Sequence, residues 1–90
     1  MILLDQERHE MGIAKTEREL GERASRFLKA ELKRANVTYE ELAKRLKKHG
    51  LPDETQDSVK AKLKRGTFAA TFLIAALAAL ELEKIELEDI

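Results

Sequence analysis

Between residues 68 and 80 the chain carries twelve apolar residues in thirteen positions, with Thr71 as the single interruption. A helix that is hydrophobic on every side has to be covered on every side. At thirteen residues the run is too short to span a bilayer, which takes about 20, so the expectation is a buried helix and no membrane partner. Ninety residues make one small domain, which buries only part of its own surface. The second cover for such a helix is then a second copy of the chain. Immediately before the run, across Gly66, four of the six residues 60–65 are cationic: Lys60, Lys62, Lys64 and Arg65.

Charge is segregated although the formal net charge is zero. Residues 22–65 hold 13 Lys or Arg against 7 Asp or Glu, while residues 1–21 hold 3 against 5 and residues 66–90 hold 1 against 5. A basic centre between acidic ends is the pattern of a domain with one anion-facing surface, although a solvated face has the same composition. Cysteine is absent, which excludes disulfides and thiolate metal sites. With no secretory signal in the opening residues, the expected compartment is the reducing cytoplasm.

Cap signals divide the chain into helices. Thr16 with Glu19 gives the S/T-x-x-E pattern and starts a helix near Glu17. Leu20, Ala24, Phe27, Leu28, Leu32 and Ala35 recur at helical spacing, Gly21 weakens the first turn, and Asn36 ends the helix in the left-handed conformation. Thr38 with Glu41 repeats the signature, Val37 is placed to staple onto Leu42, and Gly50 stops the second helix. After Pro52, either Asp53 with Gln56 or Thr55 alone caps a third helix that carries Val59 and Leu63 inward. Its outward face is then Asp57, Ala61, Lys64 and Arg65, flanked by Ser58 and Lys60. Gly66 closes it, and Thr67 is expected to cap the fourth helix. Ile85 and Leu87 alternate with acids in a short strand pattern, though a helix continued from Leu80 reads almost as well.

The expected fold is all-α: a helix-turn-helix bundle of four helices over residues 16–90, with a possible short C-terminal strand, behind a flexible arm at residues 1–15. The stretch LKAELKRANVTYEELAKRL, followed by a helix ending KLKRG and an apolar helix, resembles the phage-repressor-like helix-turn-helix family. More closely, VTYEELAKRLKKHGLPDETQDSVKAKLKRGTFAATF is similar to a family of small bacterial proteins classed as a domain of unknown function, over roughly residues 24–90. The repressor resemblance implies duplex DNA as partner. Three departures accompany it: the turn over residues 48–55 is longer than the usual three or four, Tyr39 stands where repressors commonly carry glutamine, and Val59 precedes Leu63 by four positions where the repressor pattern uses three.

Nothing in the chain points to catalysis, a cofactor, a small-molecule substrate or a metal. His9 and His49 are forty positions apart and fit no metal spacing, His49 being better explained as a helix-end cation; no serine has a paired base, and the glycines form no phosphate loop. The expected function is therefore a homodimeric DNA-binding regulator. Lys60, Lys64 and Arg65, flanked by Lys44, Lys47 and Lys48, are expected to meet phosphates; Gln56, Ser58 and Arg65 are the candidates for base edges, while Asp57 counts against them. Leu73, Leu77, Leu80, Ile85 and Leu87 are expected to form the dimer interface. The alternative is a protein-interaction module of the same fold that uses the apolar helix and acidic tail and does not bind DNA.

Overall fold

Each of the first three helices begins where a side-chain oxygen meets an amide that the helix itself leaves free. The computed structural model describes residues 16–90, and among them are four helices: α1 (Glu17–Ala35), α2 (Tyr39–Lys47), α3 (Gln56–Arg65) and α4 (Ala70–Ala79). Thr16 accepts from the Glu19 amide and Thr38 from the Glu41 amide, each at 3.1 Å. At α3 the capping residue is Thr55 rather than Asp53, and Ser58 completes the reciprocal box by accepting from the Thr55 amide at 2.8 Å. Asn36 ends α1 at φ 58, which lets the Val37 amide donate back to Leu32 and buries Val37 beneath the start of α2.

These ends aim the apolar stripes at one centre. Leu28 and Leu32 of α1, Leu42, Ala43 and Leu46 of α2, Val59 and Leu63 of α3, and Phe72, Ala75, Ala76 and Ala79 of α4 make a single core. α2 packs on α3 and α4, and α1 packs on α3. Each large side chain so buried contributes about 1.5–3 kcal/mol relative to an exposed one. No helix among the described residues is long and apolar enough to cross a membrane.

The long turn at residues 48–55 is held in place by its own contacts. The Leu51 amide donates back to Leu46, and Glu54 is gripped by Ser58 Oγ and by Lys62 Nζ at 3.1 Å. Lys62 also lies 5.7 Å above the Phe72 ring, so this cation stabilises the turn and the core instead of facing outward. From α2, Arg45 pairs with Glu41 and donates to the Ala79 carbonyl at 3.1 Å, adding to an end of α4 that the Glu81 and Leu82 amides close by donating to Ala78 and Leu77.

Four expectations are corrected. Thr67 does not cap α4: its hydroxyl accepts from Arg65 Nε at 2.8 Å, and α4 begins three residues later behind Ala69, with no side-chain cap. The tail is not a strand, because alternation yields one only beside a partner ladder and none exists among the described residues. Instead the chain leaves α4 through Glu81 at φ 61, runs extended, and closes in a 3-10 turn at Leu87–Asp89, where Arg23 donates to the Ile90 carbonyl. His49 lies beyond α2, in the turn, rather than in the helix. Of the expected α1 stripe, Leu20 is 48% exposed and Ala35 is exposed, while Phe27 is half-buried outside the core. The arm expected at residues 1–15 lies outside the described residues.

Candidate nucleic-acid interface

Gly66 ends α3 at φ 76, a conformation that side chains rarely adopt. Its backbone rests directly against Gly21 of α1: a Cβ on Gly21 would overlap the Gly66 carbonyl oxygen, and one on Gly66 would lie 3.3 Å from the Gly21 carbonyl carbon. Gly21 is therefore more than a weak point in its own helix. It is the place where α1 and the end of α3 meet backbone to backbone.

That approach brings cations from two helices to one opening. A cleft of about 870 Å³ lies between them, walled by Arg26 and Lys29 of α1 and by Lys64 and Arg65 of α3, with Ser25 and Gly66 on its floor. Arg18, Glu17 and Glu22 line it further, Arg18 pairing with Glu22 at 3.5 Å. Arg26, Lys29 and Lys64 form no ion pair with the described residues. Arg65 is held back over its own helix end, donating to the Thr67 hydroxyl and to the Thr67 carbonyl.

The expected contact residues distribute as follows. Gln56, Lys60 and Lys64 are exposed at four-residue spacing along α3 and share one face, with Asp57, Ala61 and Arg65 exposed in the adjacent row. Ser58 is half-buried, and its hydroxyl is taken up by Thr55 and Glu54. Lys44 and Lys47 on α2, with Lys48 just beyond it, are exposed but do not line the cleft. Sequence reading missed Arg26 and Lys29. They contribute to the basic excess of residues 22–65, but no local motif distinguishes them from any other exposed helical cation.

The expected interface residues are divided between core and surface. Leu73, Leu77 and Leu80 are half-buried and pack against the chain's own core, and Ile85 is half-buried, whereas Leu87 is 67% exposed. The most exposed large apolar group of α4 is Ile74, at 65%. Beside it a groove of about 440 Å³ runs past Ala78, Thr71, Leu51 and His49.

No curated protein and no solved structure matches the chain. A family match covers residues 20–85, from Leu20 in α1, through all of α2, α3 and α4, to Ile85 in the tail, and so includes both glycines of the close approach. The chain belongs to the DUF6471 family, a domain of unknown function.

Proposed function

We propose that this domain binds duplex DNA as a helix-turn-helix protein of the phage-repressor-like kind, acting as a homodimeric transcriptional regulator in the cytoplasm. The observation that carries the reading is the exposed row Gln56, Lys60 and Lys64 on α3, continued across the cleft by Arg26 and Lys29, which form no ion pair with the described residues. Cations on one continuous surface displace the counterions condensed on phosphates, and that release supplies most of the affinity. In this reading Lys60, Lys64, Arg26 and Lys29 contact backbone, with Lys44, Lys47 and Lys48 at the edge. Gln56 and Arg65 read bases, Arg65 by exchanging Thr67 for a guanine edge. Ser58, committed to its cap, contributes position only.

The direct test is retention of a mixed-sequence duplex as salt is raised. The expected logarithmic slope is about −0.9 for each phosphate neutralised. Absence of duplex binding at low salt would rule this reading out and leave the domain as a protein-interaction module.

Self-association belongs to the same proposal, because twofold symmetry presents two copies of α3 to two half-sites. Ile74 and the groove beside it favour this surface of α4, and an exposed apolar patch is a common mark of an interface. Ile74→Glu is the cleaner probe than a change at Leu77, which supports the intramolecular core. The unaltered protein is expected to sediment as a dimer of its 10.2 kDa chain, and Ile74→Glu as a monomer with unchanged helicity. A monomeric parent at tens of micromolar would remove the dimer from the proposal.

A further inference from the structure

We propose that the cleft between α1 and the end of α3 is a binding site for a phosphate group carried on a larger molecule. Its floor holds Ser25, which is 5% exposed and whose Oγ is the one buried side-chain polar atom among the described residues without a hydrogen-bond partner. Folded chains seldom leave a buried hydroxyl unmatched, because the desolvated group then has nothing to replace its water. Around it stand the positive groups already described: five cations, Arg18, Arg26, Lys29, Lys64 and Arg65, against the two acids Glu17 and Glu22. Glu22 is answered by Arg18.

A hydroxyl donor beneath ammonium and guanidinium groups that pair with none of the described acids matches the several acceptor oxygens of a phosphate, whose charge-assisted hydrogen bonds are the strong kind. The Lys29 and Lys64 ammonium groups carry three donors each, and Arg26 adds a planar fork. At about 870 Å³ the cleft exceeds one phosphate and accommodates what the phosphate is attached to. That chemistry is available from a nucleic-acid phosphodiester or from a small phosphorylated molecule. The site shares Arg26, Lys29, Lys64 and Arg65 with the duplex reading but stands without it.

The test uses the full chain labelled with nitrogen-15. Inorganic pyrophosphate is titrated at constant ionic strength, with sodium chloride as the balancing salt. The amides of Ser25, Arg26 and Gly66 are expected to shift saturably. Ser25→Ala is expected to bind pyrophosphate about tenfold more weakly while melting no lower than the parent in chloride, because it deletes a hydroxyl that has no partner among the described residues. Unshifted amides, or undiminished affinity in Ser25→Ala, would overturn the proposal. A second titration with a mixed-sequence duplex separates the two sources. Displacement of pyrophosphate by the duplex assigns the site to backbone phosphodiester. Pyrophosphate binding that the duplex leaves untouched assigns it to a small phosphorylated ligand, and that result holds even if the chain binds no DNA.

Discussion

Gly21→Ala is expected to lower the melting temperature by about 5–15 °C, although alanine is the better helix former. In an isolated helix the exchange would be worth about 0.5–1 kcal/mol in favour of alanine. Here the new Cβ would overlap the Gly66 carbonyl oxygen, a backbone atom that cannot rotate away as a side chain could. Overpacking of this kind typically costs about 1–3 kcal/mol, occasionally more, and exceeds the propensity gain. The sign of the effect therefore reports the contact between helices. Glu22→Ala, one residue on and exposed, is the control and should leave the melting temperature nearly unchanged. A Gly21→Ala variant as stable as the parent would mean that α1 and α3 do not approach this closely.

The triple change of Lys60, Lys64 and Arg65 to alanine is expected to have the larger effect on binding and almost none on folding. All three are exposed, and none forms an ion pair with the described residues. Alanine also suits a helix. Duplex affinity should fall on the order of a hundredfold near 0.1 M salt, and the magnitude of the salt slope should drop by about 0.9 for each phosphate that the variant leaves unneutralised. Circular dichroism should remain that of the parent. Full affinity in the triple variant would exclude this face of α3 as the DNA-facing surface.

What could be read from the sequence was local. Thr16 with Glu19 and Thr38 with Glu41 announce helix starts because the cap and its amide lie within three residues of each other, and Asn36 and Gly66 announce helix ends for the same reason. Thr67 failed because α4 begins three residues later, behind Ala69, and the Thr67 hydroxyl instead accepts from the Arg65 guanidinium two residues back. Ile85 and Leu87 failed differently. Alternation describes which way side chains would point in a strand, but a strand also needs a neighbour, and the described residues provide none. The meeting of Gly21 with Gly66 joins positions forty-five residues apart, and no spacing rule anticipates it. Arg26 and Lys29 were overlooked for the same reason, since they gain meaning only when α3 is laid beside α1.

α4 differs from the other three helices in lacking local support at its start. Its ten residues carry no charge, its start has no capping side chain, and the carbonyl at its end is met by Arg45 from another helix. A segment that short and that poor in local signals has little helical population by itself in water. Its helical conformation therefore depends on packing in the assembled domain, to whose core it gives Phe72, Ala75, Ala76 and Ala79. In the native ensemble the interior amides of α4 then have no route to solvent except opening of the whole domain, so their hydrogen exchange measures global stability, while the first turn of α1, with Leu20 exposed, opens locally and exchanges fast.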